Sequence, residues 1–141
     1  FSLRSFLRTF DWRDDKTLWL SAKASTPNNY KIYNELGNVY YREDDIREAL
    51  VNYEKALEIR PVYPIVYHNI GLSFLKAGQL NLAKKYFAES IKQDPLLAQS
   101  YYRLGQIAEL EGDSALAKTL FERALQTDSS FEPAQNELNS L

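Results

Sequence analysis

Apolar positions in this chain recur with two spacings at once, a short one of three and four residues and a long one of 34. By the short spacing Tyr33, Leu36, Gly37 and Tyr40 share one face of a helix, and Ala49, Tyr53, Ala56 and Leu57 share one face of a second. The long spacing repeats that pair. Gly37, Gly71 and Gly105 each follow an aromatic residue by four positions and a Leu or Ile by one, and each precedes an Ala or Ser by nineteen. Trp19, Tyr53, Phe87 and Phe121 form a second ladder, with Ala22, Ala56, Ser90 and Ala124 three residues beyond each. Pro27, Pro61 and Pro95 lie eight residues past the first three aromatics, and Ser129 takes the place of a fourth proline. The pattern predicts helices near 31–43 and 46–59, repeated in each later unit, with tight turns at Glu43-Asp44-Asp45, Gly78-Gln79 and Gly112-Asp113. Asp45 followed by Glu48 predicts a capping box with Asp in the cap place.

A glycine inside a helix costs about 1 kcal/mol, so a repeated one needs a packing reason, here the close approach of the neighbouring helix. Ala49, Ala83 and Ala117 serve the same end on the second helix. One such pair cannot bury its own apolar faces, so stability has to come from stacking neighbours. Landmarks of this kind at a 34-residue period mark helix-turn-helix repeats, and the sequence resembles the tetratricopeptide repeat family over about four fifths of its length. The resemblance implies an all-α fold, a right-handed superhelical solenoid of antiparallel helix pairs. It implies units at 30–63, 64–97 and 98–131, with a polar closing helix over 132–141. Residues 1–29 read as an N-terminal amphipathic segment plus a half repeat. In that half repeat Asp14 and Asp15 offer an N-cap to a helix reaching Thr26.

Composition narrows the function. With 45% hydrophobic and 26% charged residues over 141 positions, the chain has the makeup of one soluble folded unit. Aromatic residues make up 13% and ten are tyrosines, more than a small core needs, so part of that surplus is expected to meet a ligand. A net charge of −2 argues against a nucleic-acid partner, which needs a concentrated basic footprint. The absence of cysteine excludes disulfides and thiolate metal sites. No stretch reaches the roughly 18 apolar residues of a membrane span. The chain starts at Phe1 and contains no methionine, so a piece of a longer protein is expected.

Phe1 to Trp12 sets Leu3, Phe6, Leu7 and Phe10 at helical spacing with Arg4 and Arg8 on another face. Three readings stay open: a helix packed on the end of the stack, a membrane-surface segment that brings residues 1–13 near lipid, or a disordered stretch. The run from Asp11 to Trp19, followed by Ser25-Thr26-Pro27-Asn28-Asn29, also resembles the junction in multi-spanning membrane glycosyltransferases of the protein O-mannosyltransferase type. There a Trp-x(6)-Trp segment leads into a carboxy-terminal repeat array. That likeness implies an extracytoplasmic location; without it a cytoplasmic one is expected.

Candidate chemistry is sparse. A single histidine, His68, excludes multi-His zinc sites, and no Gly-rich phosphate loop or Gly-x-Ser-x-Gly elbow is present. The acidic trio Glu43-Asp44-Asp45 lacks the alternate spacing of a calcium loop. Neither cofactor, metal nor catalytic activity is expected. The informative positions lie on each first helix opposite the packing face, and the resemblance implies that they line a concave groove for a protein or peptide ligand. They are Lys31, Asn34, Glu35, Asn38 and Tyr41, then Ile65, His68, Asn69, Leu72 and Leu75, then Gln99, Tyr102, Arg103, Gln106 and Glu109. Asn and Gln amides can hold an extended backbone through paired donors and acceptors, and Tyr41 and Tyr102 add apolar contact with a polar tip. In family members that clamp a carboxy-terminal carboxylate, five positions act together. Asn38, Asn69 and Arg103 match that pattern, whereas Asn34 and Gln99 stand where lysines would be. His68 reads as a partly exposed groove histidine, with a pH switch as the alternative. Two functions remain: a free-standing interaction module, or the soluble carboxy-terminal arm of a membrane-bound glycosyltransferase that presents acceptor protein.

Overall fold

The computed structural model describes residues 12–141, with side chains from Asp15 onward. The segment Phe1 to Asp11, expected to be amphipathic, lies outside the described residues. Eight helices follow in the described part: α1 (Trp12–Ser25), α2 (Tyr30–Arg42), α3 (Ile46–Ile59), α4 (Pro64–Lys76), α5 (Leu80–Gln93), α6 (Ala98–Leu110), α7 (Ser114–Thr127) and α8 (Glu132–Ser140). They fall into two compact units divided between Pro61 and Val62. In the first unit α2 pairs with α3 and α1 packs on α2; in the second α4 pairs with α5, α6 with α7, α5 packs on α6, and α8 closes on α7. The fold is all-α and of the helix-pair repeat kind.

The repeated glycines sit where the paired helices cross. A Cβ on Gly71 would come within 2.7 Å of the Phe87 ring and one on Gly105 within 2.5 Å of the Phe121 ring. Gly37 meets Tyr53 in the same way. The close neighbour is therefore the aromatic rung of the partner helix, which fills the space a side chain would take. Ala49, Ala83 and Ala117 are fully buried beside these rings, as their size allows.

The turns between paired helices are built alike. Asp44, Gly78 and Gly112 adopt φ of 66°, 75° and 83°. The next residue donates back to the carbonyl five positions earlier, Asp45 to Tyr40, Gln79 to Phe74 and Asp113 to Ala108, each at 2.9 Å. This closes the last turn of the first helix in the manner of a Schellman motif. Asp45 and Asp113 then cap the second helix by accepting from the amides of Glu48 (3.1 Å) and Leu116 (3.0 Å), whereas Gln79 makes no side-chain cap. At the other end, Arg60 and Asp94 are held extended before Pro61 and Pro95. Asp128 is extended too, although Ser129 follows it, and its carboxylate accepts from the amide and hydroxyl of Ser130 instead. Those two bonds hold its carboxyl below the usual range.

One expectation fails in the half repeat. Helix α1 begins at Trp12, so positions 14 and 15 lie within it rather than at its N-cap. The helix is tied to α2 by Lys16, whose ammonium lies 2.6 Å from Glu43 and 4.3 Å from the centre of the Tyr40 ring. At the far end α8 buries Ala134 completely and lays Leu138 against Phe121 and its neighbours, leaving a polar outer face. That is what the last element of an open stack requires.

Candidate binding face and family assignment

The residues expected to line a binding face come from α2 in the first unit and from α4 and α6 in the second. On α2, Lys31 is exposed, and Asn38 and Tyr41 are half-buried. Asn34 departs from the expectation: it is only 6% exposed, and its amide donates to Glu35 at 3.1 Å. Asn38 is also engaged, donating to the other oxygen of Glu35 at 3.4 Å and accepting from the Tyr53 hydroxyl at 2.9 Å. Burial pushes the Tyr53 phenol well up, which keeps it a donor in that bond.

His68 is the clearest correction. It is 5% exposed rather than part of an open face. Its ring packs on Phe87 at 5.3 Å, and its Nδ1 lies 2.8 Å from the hydroxyl of Ser100, itself 3.0 Å from the hydroxyl of Ser90. Both serines are fully buried. The physical reason is local. Ser100 occupies the rung that carries Ile32 and Val66 in the earlier repeats, and Ser90 the rung of Ala56 and Ala124. Two small polar residues at apolar rungs supply the partners that a buried imidazole needs. Burial, and then the nearby Arg103 charge, lower the His68 pKa to about 4. It is neutral at pH 7.

On α6 the polar residues pair with one another. Arg103 donates to Gln106 at 2.9 Å, Gln106 donates to the Tyr102 hydroxyl at 2.9 Å, and that hydroxyl donates to Glu137 of α8 at 3.3 Å. The Arg103 guanidinium also lies 5.5 Å from the centre of the Tyr102 ring. Burial first, and then the charge of Glu137, raise the Tyr102 pKa. Tyr102 packs against Phe121 and Phe131 and so belongs partly to the core. Leu72 likewise packs on Phe87 and Ile107, and Asn69 accepts from the Ser73 hydroxyl through its backbone. The amide ends of Gln106 are thus occupied within the chain.

In the second unit Gln99 is exposed, and an open cavity has two leucines on its wall. A cavity of about 560 Å³ lies between Leu75 of α4 and Gln106, Glu109 and Leu110 of α6, and Leu110 is 72% exposed. Leu110 was not among the expected residues, since it falls one position past the last spaced site on α6. The Glu109 carboxylate forms no hydrogen bond or ion pair with the described residues, while its backbone carbonyl accepts from Gly112 at 2.9 Å. Among those residues no group of three or more His, Cys, Asp or Glu side chains is placed to hold a metal. None of the described helices is long and apolar enough to cross a membrane.

Two family models, both described as tetratricopeptide repeat, match residues 30–63 and 68–133, together well over half of the chain. The chain belongs to the tetratricopeptide repeat family. Human DnaJ homolog subfamily C member 7 is 28% identical over 110 residues, which cover 78% of this chain and 22% of that protein. Human protein O-mannosyl-transferase TMTC1 is 31% identical over 102 residues, covering 68% of this chain and 11% of that protein. The chain therefore spans only 11% to 22% of the length of these relatives. Among solved structures, the first repeat domain of Spaghetti (RPAP3) bound to the HSP90 peptide SRMEEVD superposes with a TM-score of 0.72 at 22% identity, covering 79% of this chain and 88% of that one. At that identity the likeness shows the fold. Domains of this family are generally non-catalytic scaffolds, and the fold suggests a protein-interaction module.

Proposed function

We propose that this chain holds a peptide or protein segment against the face that α4 and α6 form in the second unit, and that it performs no chemistry itself. The observation that supports this reading is the cavity walled by Leu75, half-buried on the core, and the exposed Leu110, beside polar groups that already satisfy one another. Exposed apolar surface rimmed by polar residues marks a contact site. Apolar side chains of the ligand would enter between the leucines. Arg103, with five donors and one given to Gln106, would supply the polar anchor. The repeat domain of RPAP3, similar in fold, binds a peptide, which agrees with this reading.

The test replaces Leu110 by Asp and Arg103 by Ala in one variant, because both side chains reach solvent. Helicity and melting should stay near those of the parent chain. Binding to a partner recovered with the parent chain should weaken by about 2 kcal/mol or more. Unchanged binding places the contact elsewhere and refutes the reading.

A second reading is favoured by the likeness to TMTC1: a carboxy-terminal arm of a membrane-bound protein glycosyltransferase that presents acceptor on the extracytoplasmic side. The coding sequence upstream of Phe1 decides it. Several apolar spans of about 20 residues support the arm, and a start codon directly before Phe1 refutes it.

A further inference from the structure

We infer that the first unit carries, on the face formed by α1, α2 and α3, a slot for the arginine side chain of a partner protein. The argument starts from a difference between repeats. In the second repeat the ring of Tyr86 lies stacked against Tyr67 (6.4 Å, 27°) and against Phe74 (5.4 Å, 23°), filling a flat gap between two rings of the preceding helix. The counterparts 34 residues earlier are Asn52, Tyr33 and Tyr40. A short amide does not fill the space of a ring. A cavity of about 310 Å³ opens there, walled by Tyr33, Tyr40 and Asn52, with Leu20 of α1 and Val51 of α3 at its sides.

Three observations select a planar cation for this slot. Asn52 is 5% exposed, and its Nδ2 is spent on the carbonyl of Glu48 at 2.8 Å. Its Oδ1 accepts nothing from the described residues and is not sealed from water, so an N–H entering the slot can reach it. The tyrosine faces already attract positive charge, Lys23 lying 5.3 Å from the Tyr33 centre and Lys16 4.3 Å from the Tyr40 centre. The charges on the cavity wall are Lys23 and Lys55 against Glu48, Glu54 and Glu58. Lys55 is committed to Glu58 at 2.6 Å, and Glu48 and Glu54 pair with no cation among the described residues. One unit of negative charge is left over.

A guanidinium has the thickness of an aromatic ring, stacks on tyrosine and offers several donors in its plane, so it can serve Asn52 Oδ1 and a glutamate together. Its aliphatic stem lies along Leu20 and Val51. An ammonium has neither the plane nor the reach. A neutral ring would fill the gap and leave the carboxylates without a counter-charge.

The test is an NMR titration of the 141-residue chain with the acetylated, amidated pentapeptide Ala-Ala-Arg-Ala-Ala and with its lysine and citrulline counterparts. The arginine peptide should shift the amide signals of Leu20, Val51 and Asn52, and should bind about tenfold more tightly than either counterpart. Asn52→Tyr, which fills the slot as Tyr86 does, should abolish those shifts with helicity retained. Asn52→Leu serves the same purpose if the tyrosine variant does not fold. Glu54→Gln should weaken binding about threefold or more. Equal binding of the citrulline or lysine peptide, shifts that survive the filled slot, or no shifts at these residues would each overturn the assignment.

Discussion

Acidification should loosen the second unit through one side chain. His68 is buried against Phe87, with Ser100 and Ser90 as its polar partners and Arg103 as the nearby charge. Its folded pKa is about 4, against 6.5 for a free imidazole. The folded pKa is the lower of the two, so between these values the unfolded chain takes up a proton that the folded chain excludes. The stabilisation is complete above about pH 6.5 and is lost as the pH falls through about 4. At about 1.36 kcal/mol per unit of pKa difference, the loss amounts to about 2 kcal/mol at pH 5 and about 3 kcal/mol at pH 4. Carboxylates titrate in the lower part of that range, so a variant has to isolate the histidine. His68→Gln keeps a hydrogen-bonding group near Ser100 but cannot be protonated. Urea unfolding followed by circular dichroism at pH 7.5 and pH 5 should show the parent chain losing about 2 kcal/mol more than the variant over that interval. A histidine ring signal titrating near pH 6.5, or the same pH dependence in both proteins, would refute the burial argument.

The repeat-to-repeat comparison yields further expectations. Gly71→Ala drives a methyl group into the Phe87 ring and should destabilise the chain by about 1–3 kcal/mol in urea unfolding, as overpacking does. Asp44→Gly relieves a non-glycine residue at φ 66° and removes a carboxylate from a helix C-terminus, so about 0.5–1 kcal/mol of stabilisation is expected in the same assay. Gln79→Asp supplies the cap that Asp45 and Asp113 give to their helices and should raise stability by about 0.5–1 kcal/mol. No change on that substitution would mean that α5 is already held by packing alone.

Helix pairing was legible because glycine and its facing aromatic are both needed at one crossing, and each repeat restates the need. The turns were legible for the same reason: Gly78 and Gly112 mark a left-handed position that Asp44 reveals only by alignment with them. The fate of the polar positions was harder to read. Asn34 and His68 stand at a spacing that faces outward on an isolated helix, and their burial depends on what the adjoining elements bring. For His68 the clue was present in Ser90 and Ser100, polar residues on otherwise apolar rungs. The amides of Asn38 and Gln106 looked available because a sequence does not show Glu35, Tyr53 or Arg103 already bonded to them. The slot beside Asn52 could have been suspected from Tyr86 and Leu120 at the same register, where bulk is the rule.

Repeats that stack by shape alone can be exchanged, duplicated or deleted with little penalty, since any apolar rung fits any other. The link from His68 through Ser100 to Ser90 removes that freedom at one joint. Put a repeat of the first kind after α5, with isoleucine where Ser100 now stands, and the imidazole is sealed in without its mate. The α4–α5 hairpin is thereby keyed to its own successor, and the order of modules in this half of the chain is written into its interior.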